Sequence, residues 1–347
     1  MNLNEGNIMS TGVQRISEIW QNIRQKIDKA WYRLQQRFKM LIIAKKTFKD
    51  LTTTKKTLGI LIAELIVPLI LGLALTQTLP DDFSSRSVSA QTGAITTYFV
   101  IISFIWIAGI PLALYASSIG AGFIAKEQTE GTILILISKP IRRWEILIGK
   151  FLGFFINILI IQTISVYVSA WFLVLITTNN ISVFTSMLPI INAVILYSII
   201  VSLMFGSIAA ALSSMTKSTG KIVMIMAALT MATYFGFFLI RALIGVYYED
   251  YQIYHIDIGY HLANFYIMLL KALGIKISPQ IAIILGVIGG TYKTEDVFTA
   301  FDDDQQLFKT PELAGYYPLY LSAILWIVVA LALIFFGIKR LQKQDIV

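Results

Sequence analysis

Apolar residues gather in six long blocks, each of a length that lets a helix cross the hydrocarbon core of a bilayer. The blocks are Leu58–Leu79, Thr96–Ser118, Leu147–Thr177, Met187–Leu212, Ile222–Tyr247 and Tyr317–Ile338. No helical face is favoured inside them, as expected for helices enclosed by lipid and protein. They are too long for barrel strands, which need about 9–11 residues. The pattern predicts an all-α integral membrane protein with six transmembrane helices.

Two segments outside the blocks also carry a pattern. Before the first block, apolar residues fall at Ile16, Trp20, Ile23, Ile27, Trp31, Leu34, Phe38 and Ile42. Steps of three and four residues are those of one helical face, and Arg15, Arg24, Lys26, Lys29, Arg33 and Arg37 lie off it. A basic amphipathic helix of this kind lies at a lipid surface or packs on a partner protein. Between the fifth and sixth blocks, residues 248–316 hold an amphipathic stretch, His261–Leu273, and an apolar run, Ile277–Ile288. A run of twelve residues is short for a span. The run is expected to be a buried or interfacial helix within a helical extracellular insertion, with a further hairpin in the membrane as the alternative. The chain thus divides into 1–56 (amphipathic and elbow helices), 57–247 (spans one to five), 248–316 (the insertion) and 317–347 (span six and tail).

Charge placement orients the spans. Residues 1–56, the 119–146 connection with Lys150, the 213–221 turn and the tail after Ile338 hold 22 Lys and Arg, against 5 in the opposite connections. Lys and Arg concentrate in cytoplasmic connections, so both termini are expected in the cytoplasm of a multi-pass plasma-membrane protein. An even number of spans agrees.

Composition narrows the function classes. Hydrophobic residues make up 56% and charged residues 14%, well under the roughly 25% charged of soluble domains. The net charge of +8 sits on the cytoplasmic connections, so it points to membrane lipid and not to nucleic acid. There is no cysteine, which excludes thiolate metal sites and cysteine nucleophiles. Ser218-Thr219-Gly220-Lys221 is followed by Ile222 and lacks the first glycine of a phosphate-binding loop. No ATPase site is therefore expected in this chain, and no cofactor.

The connection between spans two and three has the most distinctive sequence. Gly131 and Pro140 bracket a short apolar helix, Thr132–Ser138, of a kind that docks into a groove on a partner. The run Lys126-Glu127-x-x-Glu130-Gly131-Thr132-x-x-x-Leu136-Ile137-Ser138-x-Pro140-x-x-Arg143-x-x-x-Leu147-x-Gly149-Lys150 resembles the signature of type-2 ABC exporter permeases. Residues 42–51 resemble that family's elbow helix, and the basic exit of the last block, Lys339-Arg340, resembles its C-terminal end. The likeness covers roughly residues 40–347. It implies a permease subunit, not itself an enzyme, working with a separate ABC ATPase that binds ATP. It also implies a second permease, identical or related. Carried over residue by residue, it gives Glu127, Glu130, Gly131 and Thr132 to the coupling element, and Pro140 and Arg143 to the start of the third span. Residues 1–39 and the long 248–316 connection depart from the family pattern.

Three further features carry candidate chemistry. Glu64 and Arg241 are charges inside spans one and five, where charge is costly and marks functional sites. They lie at opposite depths, so a mutual salt bridge is not expected. Glu64 is a candidate for the translocation path or for packing between subunits, and the basis of an alternative reading as an ion-coupled carrier. His255, Asp257 and His261 have a spacing that suits metal ligands, the basis of a membrane-embedded enzyme as another alternative; an ordinary polar loop gives the same spacing. Gly149-x-x-x-Gly153 suits close approach of two helices.

Overall fold

A computed structural model describes residues 20, 24–26, 39–53, 55–131, 142–244, 247–293 and 311–343. Most of the N-terminal amphipathic stripe, the short helix expected at Thr132–Ser138, and Pro140 lie outside them.

Helices dominate the described residues, and six of them, unbroken or bent, are long and apolar enough to span a membrane. These six are Thr57–Thr76, Val88–Thr129, Arg143–Thr177, Leu188–Ser213, Thr219–Ile244 and Leu319–Gln342. The chain is thus an all-α, multi-pass membrane protein. An elbow helix α1 (Lys39–Thr52) precedes α2 (Lys55–Thr76), the first span. The second span is compound: α3 (Val88–Ile102), a wide π turn, α4 (Ile110–Ala121) and the short α5 (Ala125–Thr129). Then come α6 (Arg143–Thr177), α7 (Ile181–Ser186) and α8 (Leu188–Ser213). The fifth span is also bent, as α9 (Thr219–Met231), a π turn and α10 (Phe237–Ile244). A helical hairpin, α11 (Ile258–Ala272) and α12 (Pro279–Gly289), leads to α13 (Leu319–Lys343), the last span.

The second span begins eight residues before its apolar block, because Ser87 caps it by accepting from the Ala90 amide. Its middle breaks at Ser103–Ile107, where Ala108 donates back to Ser103 instead of one residue nearer. Pro111 then opens α4 and has no amide hydrogen to continue the ladder. The fifth span has its own π turn at Ala232–Gly236. Both breaks meet at one place. Phe104 of the first packs against Tyr234 of the second, with Tyr197 of α8 and Tyr266 of α11 closing a buried aromatic knot.

The second span is the centre of the bundle: 72% of its apolar core is enclosed by protein, against 22% for the last span. α8 packs on α4 and on α13, while α1 and α2 pack on α6. The α1 contact shows why residues 149 and 153 are glycines. A Cβ at Gly149 would sit 2.6 Å from the Met40 carbonyl oxygen, and one at Gly153 2.4 Å from that of Ala44. Helix–helix approach this close requires small residues.

The expected insertion does not stand apart from the bundle. α11 is buried along nearly its whole length, between α8 and α13, and α12 folds back beside it. Both helices are shorter than a span, so the span count stays at six.

Candidate functional site

One end of the bundle gathers the elbow helix, the connection between spans two and three, the turn between spans four and five, and the end of the last span. This is the terminal side. Four described candidates from the sequence meet here. α5 carries Glu127, whose Oε1 lies 2.6 Å from Lys150 Nζ on α6. Both groups are largely withdrawn from solvent, at 19% and 10% side-chain exposure. Lys150 also donates to the Phe123 carbonyl, which closes the turn before α5. Glu130 forms a looser, exposed pair with Lys126. Gly131 follows with φ +68°, a left-handed conformation that favours glycine and stops a helix.

On the other side of residues 132–141, α6 starts with a capping arrangement: Arg142 N donates to Glu145 Oε2 at 2.8 Å. Arg143, the next residue, reaches the end of the last span. Its Nη1 donates to the Leu341 carbonyl at 2.7 Å and to that of Gln342 at 3.1 Å. A helix C-terminus presents unpaired carbonyls and negative partial charge, which a guanidinium satisfies. Thr129 adds a third tie, donating to the Lys217 carbonyl in the turn between spans four and five. The connection is therefore bonded at once to spans three and six and to the turn between spans four and five. Among the residues expected to act together, Glu127 and Arg143 are brought into one platform, Glu130 and Gly131 lie at its exposed edge, and Thr132 and Pro140 fall outside the described residues.

Glu64 lies elsewhere. It is fully buried between spans one, two and three. Its Oε1 accepts from Gln162 Nε2 at 2.6 Å. The same amide reaches the Ile107 carbonyl at 3.3 Å, freed by the break in span two. The Trp106 indole bonds across that break to the Ala63 carbonyl, one residue from Glu64. Towards the terminal side the polar line continues: Tyr115 Oη donates to Asn157 Oδ1 at 2.7 Å and shares a hydrogen bond with Thr57. Charge and polarity thus follow the seam between α2, α4 and α6.

On the opposite side, Arg241 is paired with Asp257, the N-cap of α11, and donates to the Ile288 carbonyl at the end of α12. Tyr248 donates to the same Asp257 oxygen at 2.7 Å, and the Tyr260 amide to the other oxygen at 3.0 Å. Burial pushes the Asp257 carboxyl above its usual range, against the pull of Arg241. Burial also lowers His261 to about 4. Its ring bonds Ser322 and the His255 carbonyl, while His255 bonds Tyr317 and Gln252. The H-x-D-x-x-x-H spacing therefore does not bring three ligands together. The three side chains do not bond one another, and no group of acidic and histidine side chains among the described residues is arranged to hold a metal. Arg241 and Glu64 likewise have different partners.

Three relationships here were not read from the sequence: the Arg143 cap on the last span, the tie from Thr129 to Lys217, and the Arg241–Asp257 pair. The first joins residues 198 apart, and spacing carries no signal for it. The third had one: Arg241 is the lone intramembrane cation of span five, and Asp257 is the nearest acid beyond the adjacent Glu249 and Asp250.

Compared with known proteins, the chain matches the family described as ABC-2 family transporter protein over residues 41–346. No curated protein matches it.

Proposed function

The chain belongs to the ABC-2 transporter family and is a membrane permease component of an ABC transporter, and from that premise we propose that it couples ATP hydrolysis by a separate ATPase subunit to export across the plasma membrane. Its termini lie in the cytoplasm, and a second permease, identical or related, completes the membrane unit. The ATPase docks on the terminal side, against the connection that runs from Glu127 to Arg143.

One observation carries this reading. The connection is tied to span three by Glu127–Lys150, to the turn between spans four and five by Thr129–Lys217 and to span six by Arg143–Leu341, so a load applied to it reaches the bundle at three places. The two π turns, which meet at Phe104 and Tyr234, supply the points where spans two and five bend. π turns often accompany functional sites in helices. Bending span two at Ser103–Ile107 moves the Ile107 carbonyl away from Gln162 and opens the seam that holds Glu64. Glu64 and Gln162 then face the transported molecule.

Glu130→Lys and Gly131→Pro test the docking site. Both lie on the exposed edge, so the bundle should stay folded while co-purification with the ATPase and stimulation of ATP hydrolysis fall at least tenfold. Normal co-purification and stimulation with both variants would contradict the assignment.

A further inference from the structure

A groove opens on the terminal side between the end of the elbow helix and spans one and three. Its volume is about 470 Å³, within the roughly 300–1,000 Å³ of ligand sites. Thr52, Thr53 and Lys55 form its rim, and Leu58, Ile160 and Ile164 its apolar wall. The wall residues are 61%, 46% and 45% exposed, facing what surrounds the bundle. Asn157, buried, lines the inner end, where its amide reaches towards Thr52 Oγ1.

We propose that this groove binds one anionic glycerophospholipid, its phosphate at Lys55 and the threonine hydroxyls and an acyl chain along Leu58, Ile160 and Ile164. Polar rim and apolar wall are stacked along the span direction, in the order of headgroup and chain. The sign of the charge decides the class of lipid. Residues 39–58 contain six lysines and one acid, Asp50, and Lys45, Lys46, Lys49 and Lys55 are exposed. Basic segments at a membrane surface select anionic lipid. A zwitterionic headgroup would gain little from that field. The lipid fills a gap between α1, α2 and α6, so it also fixes the angle at which the elbow helix meets the first span.

The chain has no cysteine, so Thr163→Cys can carry a single fluorophore at the groove's margin. The labelled full chain is placed in phosphatidylcholine vesicles containing phosphatidylglycerol with brominated acyl chains, and quenching is titrated. Quenching should saturate at a lower fraction of brominated phosphatidylglycerol than of brominated phosphatidylcholine. Lys55→Ala should weaken the preference about fivefold, the effect of one basic residue near an anionic surface, and Lys55→Glu further. High salt should weaken it as well. Lys221→Ala, an exposed lysine at the start of α9, serves as control and should leave it unchanged. Equal quenching by the two lipids overturns the proposal, since it means ordinary surrounding lipid. Absence of quenching by either also overturns it, since it means that protein, such as a second copy of the chain, covers the groove.

Discussion

Glu127 and Lys150 meet at 2.6 Å, one on the short helix that ends span two and the other about two turns into span three. They bridge the two sides of the connection that the proposed ATPase contacts. Removing one member of a fully buried pair costs about 3–5 kcal/mol. Glu127 keeps partial exposure, so Glu127→Ala should cost less, about 2–3 kcal/mol, and lower the thermal midpoint in detergent by several degrees. The exchange Glu127→Lys with Lys150→Glu should recover more than half of that loss. An exchanged protein no more stable than the single variant would show that the pair is not what holds the connection.

Arg143 should matter to the far end of the chain. Arg143→Ala frees the Leu341 and Gln342 carbonyls and should cost about 1.5–3 kcal/mol, the range for hydrogen bonds from charged groups. The readout is local: limited trypsin digestion at Lys339 and Arg340 should quicken several-fold, with cleavage at Lys221 unchanged. Equal acceleration at both places would mean general loosening instead of a lost cap.

The elbow helix should be displaced by a single methyl group. A Cβ at Gly153 falls 2.4 Å from the Ala44 carbonyl oxygen, closer than side chains tolerate, while one at Gly220 meets nothing within 4 Å. Gly153→Ala should cost about 1–3 kcal/mol, as overpacked sites do, and should speed maleimide labelling of Ile43→Cys, a position 7% exposed. Gly220→Ala should change neither. Unchanged labelling in the Gly153 variant would place the elbow elsewhere.

The spans and the close approach at Gly149 and Gly153 were legible because length, hydropathy and small-residue spacing are local properties. The early start of span two was missed because Ser87 and Gln91 belong to a polar stretch that reads as loop until Ser87 is seen to cap a helix. Its break at Ser103–Ile107 left only Gly109 and Pro111 as signals, and they sit inside a run apolar enough to read as one helix. The insertion hides its partners in another way. His261 and Asn264 are buried and share Ser322 of the last span, about 60 residues on, a pairing that no local pattern announces. At the candidate site, the motif residues were found in order along the chain, but their partners Lys217, in the turn between spans four and five, and Leu341 and Gln342, at the end of the last span, are ones that no spacing reveals.

His261 sets a pH dependence on the docking of the hairpin. Its folded value of about 4 lies below the ordinary 6.5, so the folded state holds it neutral while the unfolded state takes up a proton between those values. Stability is therefore full above pH 6.5 and falls as pH drops from 6.5 to 4, by about 2–3 kcal/mol. Asp257, raised by burial, works in the opposite direction and is present in both proteins compared. The difference between wild type and His261→Gln isolates the histidine. The gap between their thermal midpoints should change by several degrees over that window, and a constant gap would show that His261 does not titrate as its burial requires.

The account centres on an ATPase docked at the terminal side, beside Glu130. A cysteine placed there, Glu130→Cys, is the only one in the chain, and a short bifunctional crosslinker applied to native membranes reports what lies next to it. The account predicts an adduct containing an ABC ATPase from Glu130→Cys and none from Lys276→Cys, which lies on the opposite side next to the hairpin turn. An ATPase adduct from Lys276→Cys, or none from Glu130→Cys in membranes where the transporter is active, would contradict it.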